Sequence, residues 1–386
     1  MPQAVIAAYA RTPFHFARKG GLVGVRPDNL AATVLKGLVR RSHLDPGELE
    51  DVLMGCAYPE SEQGNNIARI AVLLAGFPMS VAGMTINRFC GSSMSGIHYA
   101  AGQIAMDAGD AFICGGVESM TRVPQGGFNF SANPRFRYKD GPPAEIDIDA
   151  YIAMGDTAEN VAKRYGVSRE AQERFAYESQ RKAAEAQTAG RFMEEIIPVT
   201  TPDEAMVDKD GCLRPGTTPE GLAALKPAFH ADGTVTAGTS SPLTDGAAAV
   251  LVCSEEFAKA HGMEIIAKIR AVAVGGVQPE YMGMGPVPAT IKALDRAGLF
   301  PDELDVIELN EAFASQAIAC IRELKLDEAR VNIDGGALAI GHPLGATGAR
   351  ITGKAAMLLK REGGRYALAT QCIGGGQGVA TILEAV

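Results

Sequence analysis

The sequence predicts an α/β protein built from a duplicated half, with an irregular region inserted over the pair. Three observations carry this. Strand and helix signals alternate through residues 1–117 and again through 267–386, which implies parallel strands with helices on the sheet faces. Both stretches follow one order of elements: a strand meets a small-residue turn bearing one reactive side chain, Cys90 or His342, and a helix follows. A further strand then stops at a glycine pair, Gly115-Gly116 or Gly374-Gly375. Between them, residues 118–244 lose the alternation. At 386 residues the chain also exceeds the usual span of one core. The expected division is 1–117 with 245–266 as the N-terminal half, 118–244 as the insertion, and 267–386 as the C-terminal half.

In the first half, Val5 to Tyr9 reads as a strand and Asn29 to Arg41 as an amphipathic helix. Asp51 to Cys56 is a strand, Asn65 to Leu74 a helix, Val81 to Ile86 a strand, Met94 to Ala108 a helix, and Ala111 to Cys114 a strand. In the insertion, Pro124, Gly126, Gly127, Asn129, Asn133, Pro134, Gly141, Pro142 and Pro143 mark loops. One long helix follows, bounded by Ser168 and Gly190 as caps. The region also carries scattered bases, Arg135, Arg137, Lys139, Arg214 and Lys226, most of them expected as solvated surface charge.

Asp245 to Val252 returns to a buried strand. The second half then reads as strand Ala267 to Val274, helix Pro288 to Ala297, strand Val306 to Leu309, helix Ala312 to Glu323 and strand Val331 to Ile333. A glycine-rich turn over Gly341 to Gly348, a helix over Ala349 to Lys360, and strands over Tyr366 to Gln371 and Ala380 to Leu383 complete it.

Composition narrows the function. Hydrophobic residues are 47% and charged residues 21%, as in a well-packed globular protein. The net charge of −9 argues against nucleic acid as a partner, though a local basic patch could still hold a phosphate-bearing ligand. The seven cysteines are odd in number, scattered and free of CxxC spacing, so neither a disulfide framework nor a zinc site is expected, and a reducing compartment is. No signal peptide, presequence or apolar run long enough to span a bilayer is legible, which makes the cytoplasm the expected location.

Cys90 stands where a buried strand turns into a helix. Unpaired N–H groups and the helix dipole there favour thiolate, the reactive form. Taken alone, a buried structural cysteine is still the better reading. A structural histidine likewise fits His342, a helix N-cap fits Asn310, and a core thiol fits Cys372. Together, two thiols, one histidine and one asparagine, each at a strand end beside small residues, suit acyl transfer through a thioester.

On these residues the sequence resembles the thiolase family, and the degradative 3-ketoacyl-CoA thiolases most. The resemblance rests on Asn87 to Ser93, Asn310 to Phe313, Gly341-His342-Pro343 with Gly345 and Gly348, and Cys372 to Gly378. Gly115 to Met120, Leu225 to Phe229 and Val235 to Ser241 also match, so that nearly the whole chain is covered. It implies a layered α/β/α/β/α core from two βαβαβαββ-type halves. It also implies Cys90 as nucleophile, His342 as its proton acceptor and Cys372 as acid/base. His342 with a water on Asn310 would hold the enolate oxygen, and the N–H groups of Cys90 and Gly374 would hold a second oxyanion. Coenzyme A would be substrate rather than a bound cofactor, lying under the insertion near Ser241 and Arg214. Met154, Phe229, Phe313 and Ala314 would line the acyl chain.

Ketosynthases, with a second histidine where Cys372 stands, and hydroxymethylglutaryl-CoA synthases, with a glutamate acid/base, do not fit. Acetoacetyl-specific thiolases usually carry His-Met-Gly, where this chain has Ala153-Met154-Gly155. That favours β-oxidative cleavage of 3-ketoacyl-CoA over a biosynthetic acetoacetyl-CoA thiolase; a catalytically silent acyl-CoA-binding or scaffold subunit is the remaining alternative. Relatives imply a homodimer or homotetramer, with a hydratase/dehydrogenase subunit as a further partner. No metal is expected.

Overall fold

A computed structural model describes residues 2–138, 141 and 143–386; Lys139 and Pro142, named above, lie outside them. The strands of the main sheet are β1 (Ala4–Arg11), β2 (His15–Phe16), β3 (Asp51–Gly55), β4 (Ala82–Ile86) and β5 (Ala111–Ser119) from the first part of the chain. A separate small pair, β6 (Val199–Thr200) and β7 (Met206–Val207), lies in the insertion. β8 (Thr244–Ser254), β9 (Ala267–Gly276), β10 (Val306–Leu309), β11 (Tyr366–Ile373) and β12 (Gln377–Glu384) complete the large sheet. Its order is β10-β11-β12-β9-β1-β8-β5-β3-β4, with β2 added on β8.

That order is a palindrome of types. In β4-β3-β5-β8-β1 the first two pairings are parallel and the next two antiparallel. In the second half, β10-β11 is parallel and β11-β12 and β12-β9 antiparallel. The fifth strand expected there, Val331 to Ile333, is reduced to one parallel bridge between Val331 and Ile307. The halves meet through two antiparallel residue pairs, Val5 with Lys268 and Ile6 with Ala267. A local twofold axis therefore passes between β1 and β9.

The helices are α1 (Pro27–Ser42), α2 (Ile67–Ala75), α3 (Ser92–Ala105), α4 (Met154–Arg164), α5 (Arg169–Thr188), α6 (Pro219–Ala223), α7 (Glu255–Ala260), α8 (Pro286–Ala297), α9 (Ala314–Leu324), α10 (Ala337–Ile340) and α11 (Leu344–Glu362). Three apolar clusters give the layers. One packs α1 and α2 on the first half-sheet through Leu30, Val34, Leu38 and Val72. Another packs α8 and α9 on the second through Ala289, Ala293, Ala317 and Ile318. The third lies between the half-sheets, where α3 and α11 contribute Met94, Ile97, Ile351 and Ala355. The order is helix, sheet, central helix pair, sheet, helix.

One expectation is corrected. Gly345 and Gly348 belong to α11, not to a turn, and the helix begins at Leu344 rather than Ala349. A β-carbon on Gly345 would stand 2.5 Å from the Gly55 carbonyl oxygen, and one on Gly348 2.4 Å from the Met94 nitrogen. These glycines let α11 press on the first half's backbone; close approach, not turn geometry, requires them.

The insertion holds α4 to α6 and β6–β7. The long helix starts as expected, with Ser168 Oγ accepting the Ala171 N–H at 3.2 Å. A buried ion pair anchors the region to β1: the Arg11 guanidinium donates to Asp210 at 2.6 and 2.7 Å and to Glu195 at 2.9 Å. Of the scattered bases, Arg135 pairs with Glu145, and Arg137 with Asp147 and Glu280. No helix among the described residues is long and apolar enough to cross a membrane.

Candidate active site

The Cys90 turn is held by its own side chains. Asn87 Oδ1 accepts the Phe89 N–H at 2.8 Å, and its Nδ2 donates to the Ala57 carbonyl at 3.1 Å. Ser92 Oγ accepts from Arg88 N–H at 2.9 Å and donates to the Phe89 carbonyl at 2.6 Å. These contacts hold Phe89 at a φ of +43°, a conformation side chains rarely adopt. Gly91 then fits flat against Ile373, where a β-carbon would come within 2.4 Å of Cδ1. Cys90 is half-buried, and its sulfur faces the N–H groups of Gly374 and of Cys90 itself.

Those donors favour thiolate, but burial outweighs them and pushes the thiol up to about 11. The helix N-terminus was expected to favour the thiolate; its N–H groups do pull that way, but burial wins. The resting residue is a thiol, and it needs a base.

His342 has the properties of one. Gly341, at φ +103°, leaves no room for a side chain beside Thr244, and Thr244 Oγ1 accepts the His342 N–H at 3.0 Å. Thr347 Oγ1 lies 2.6 Å from Nδ1 and spends its own hydrogen on the Pro343 carbonyl at 3.0 Å. With the hydroxyl hydrogen assigned to that carbonyl, Nδ1 carries the ring proton and Nε2 is the lone-pair nitrogen, which suits the Asn310 Nδ2 donor facing it. Burial, with Arg350 adding to it, pushes the imidazole down to about 3, so the ring is neutral at ordinary pH. Asn310 follows β10 and is fully buried. Its Nδ2 is 3.3 Å from His342 Nε2, while its Oδ1 has no partner among the described residues. It is not a helix cap, because α9 begins at Ala314.

Cys372, near the end of β11, sits in a small apolar cluster with Ala158, Val235, Met282, Ala312, Phe313 and Met154. Burial raises its thiol well above the ordinary value, and the neighbouring Cys90 sulfur adds to this. The substrate candidates converge here too. Met154 Sδ lies 3.8 Å from where a β-carbon on Gly374 would stand, and the Phe229 and Phe313 rings meet edge-on at 6.0 Å. Ser241 N–H donates to the Ala312 carbonyl at 3.0 Å, and Ala314 N–H to Thr239 at 2.9 Å. Arg214 stands apart: its guanidinium lies over the Phe16 ring and its N–H donates to Gln180.

The contacts thus join Cys90 with Gly374 and Cys372, and His342 with Asn310. Leu344, two residues past His342, packs in the cluster that Cys90 lines. Two contributors carried no assigned role in the sequence: Thr347, which sets the histidine tautomer, and Glu118. A lone carboxylate directly after the apolar run Ala111 to Val117 was the available signal for the second.

Fold and site define a duplicated α/β protein whose two halves turn two thiols and a neutral histidine toward one centre. Residues 4–256 match the thiolase N-terminal domain and residues 263–385 the thiolase C-terminal domain. A 3-ketoacyl-CoA thiolase of Bacillus subtilis (strain 168) is 46% identical over 396 residues, covering 100% of both chains. A beta-ketoadipyl-CoA thiolase of Escherichia coli is 46% identical over 405 residues, again covering 100% of each. A crystal structure of the Bacillus anthracis acetyl-CoA acetyltransferase superposes with a TM-score of 0.91 at 38% identity, covering 100% of this chain and 99% of that one. The chain belongs to the thiolase family and has its fold; it is an acyltransferase of that family.

Proposed function

We propose that the protein is a 3-ketoacyl-CoA thiolase, cleaving its substrate with coenzyme A to acetyl-CoA and a shortened acyl-CoA. The observation that carries this is a Cys90 thiol set against the Gly374 N–H and Cys372, with a neutral His342 two residues before Leu344, which packs in the cluster that Cys90 lines. Cys90 passes its proton to His342 Nε2 and attacks the 3-keto carbonyl. The oxyanion forms against the N–H groups of Cys90 and Gly374, which already face the sulfur; one such donor is typically worth a few kcal/mol. Breaking the Cα–carbonyl bond leaves acyl-Cys90 and the acetyl-CoA enolate. The enolate oxygen is met by His342, now an Nε2–H donor, and by a water on Asn310 Oδ1. Cys372 protonates the carbon. A second coenzyme A then takes the acyl group, giving ping-pong kinetics.

Coenzyme A lies under the 118–244 insertion in this reading, with Ser241 toward the pantetheine, Arg214 toward the nucleotide, and Met154, Phe229, Phe313 and Ala314 along the chain. Ala153 in place of histidine favours longer 3-ketoacyl substrates. The likeness to the acetyl-CoA acetyltransferase supports the biosynthetic alternative, and thiolysis rates for C4 against C10 substrates separate the two. Cytoplasmic β-oxidation suits seven unpaired cysteines.

The sheet ends at β4, and Leu73, Leu74, Met79, Tyr99 and Met106 leave apolar surface near it. A homodimer, or a homotetramer built from it, would cover that edge. After exposure to a 3-ketoacyl-CoA without coenzyme A, mass spectrometry should find the acyl group on Cys90. A Cys90→Ala protein with full activity would end this reading.

A further inference from the structure

We propose that Glu118 is a positioning residue for acyl transfer, a carboxylate of the first half that holds the His342 turn of the second against the loop beside Cys90. This rests on the thioester reading above.

The register of the two half-sheets shows where Glu118 stands. The parallel pairing β3–β5 ends at Gly55 with Gly116, and β10–β11 at Leu309 with Thr370. Two residues further along, β5 reaches Glu118 and β11 reaches Cys372. The antiparallel pairings agree, because Glu118 faces Gly246 and Cys372 faces Gly378, a glycine in each case. By the same register Cys56 corresponds to Asn310. Glu118 is thus the twofold counterpart of Cys372, in a half whose own turn carries the nucleophile.

Its contacts cross the axis. Glu118 is fully buried. Oε2 accepts the Ala57 N–H at 2.8 Å and the Gly345 N–H at 2.9 Å. Oε1 accepts from Gln63 Nε2 at 2.9 Å and from the Tyr58 N–H at 3.3 Å. Burial pushes this carboxyl above its ordinary value, and the N–H donors on both oxygens oppose that by favouring the carboxylate. Gly345 N–H is one of the unpaired donors at the start of α11, whose N-cap Pro343 supplies no side-chain bond. Glu118 therefore caps α11 from the opposite half, three residues from His342. On its other side, Tyr58 packs on Phe89 at 6.0 Å, next to Cys90.

The second half reciprocates. Gln371 Nε2 donates to the Cys90 carbonyl at 2.5 Å, and Gly374 N–H faces the Cys90 sulfur. Each half's long central strand thus fixes the other half's reactive turn. Glu118 also acts through space, its negative charge opposing ionisation of Cys90.

The test compares wild type, E118Q and E118D as full-length proteins. It uses thiolysis kinetics and the pH dependence of iodoacetamide alkylation at Cys90, read by mass spectrometry. E118Q turns an amide N–H onto one of the N–H donors; kcat should fall about ten- to a hundredfold while KM stays within about twofold. Its alkylation midpoint should move to lower pH, since the nearby anion is gone. E118D should keep the wild-type midpoint and recover part of kcat. Wild-type kcat in E118Q overturns the proposal, as does an unmoved midpoint with E118D as impaired as E118Q. Should E118Q not fold, Gln63→Leu removes one donor from the carboxylate: lowered kcat at constant KM supports the assignment and unchanged kcat overturns it. Alkylation needs no turnover. A wild type without thiolysis would therefore refute the functional reading, while the midpoints would still judge Glu118.

Discussion

At the residue scale, His342 and Cys90 are out of step with one another in a useful way. The imidazole sits near 3 and the thiol near 11, so between those limits the resting pair is neutral histidine and thiol. The folded histidine lies below its ordinary value, so its neutral form contributes stability that is present above about pH 6.5 and lost as pH falls toward 3. His98 is pushed down to about 3 in the same way, by burial and by Arg88 and Arg296. Between pH 7 and 4.5, wild type should therefore lose on the order of 2 kcal/mol more stability than His98→Gln. Urea unfolding at the two pH values checks this, and parallel losses would contradict it. For His342→Asn, removing the acceptor should cut turnover by about a hundredfold or more. Its Cys90 alkylation should then climb only as pH approaches 11, which a pH series of adduct yields would show.

At the scale of elements, α11 does most to bring the halves together, and it does so through residues that look like a loop. Its first five residues hold two glycines because backbone from the first half lies where side chains would be. Gly345→Ala should cost several kcal/mol, since the obstruction is the Gly55 carbonyl rather than a movable side chain. A melting temperature unchanged within a degree or two would refute that. The same residues explain what the sequence showed and what it hid. Alternating apolar runs placed most strands and helices within a few residues, because core burial writes its period into the chain. The start of α11 was hidden because glycine is a turn signal locally, and only a contact three hundred residues away in the chain makes it a packing residue. Thr347 and Glu118 were hidden for a similar reason. Their work lies in hydrogen bonds to Nδ1 and to Gly345 N–H, which no spacing expresses, whereas Cys90, Asn310 and Cys372 each mark a strand end and His342 stands in a Gly-His-Pro turn, here between two helices rather than after the expected strand.

At the scale of the molecule, the palindromic strand order makes the site a property of both halves. The edge at β4 is the counterpart of the bridge at Val331, yet the first is a full five-residue strand. Sedimentation should show the wild type at dimer or tetramer mass, and Met79→Lys with Leu74→Lys should shift it toward the monomer. A monomeric wild type would refute the proposed assembly. The reciprocal hold of β5 on the His342 turn and of β11 on the Cys90 turn also bears on how the chain is made. Synthesis completes the Cys90 turn long before Gln371 and Gly374 emerge from the ribosome. Until they do, the Cys90 carbonyl lacks its Gln371 donor and the sulfur lacks the Gly374 N–H. On the proposed mechanism a chain released early would carry Cys90 in an unfinished site, and activity would wait until translation has reached the final strands.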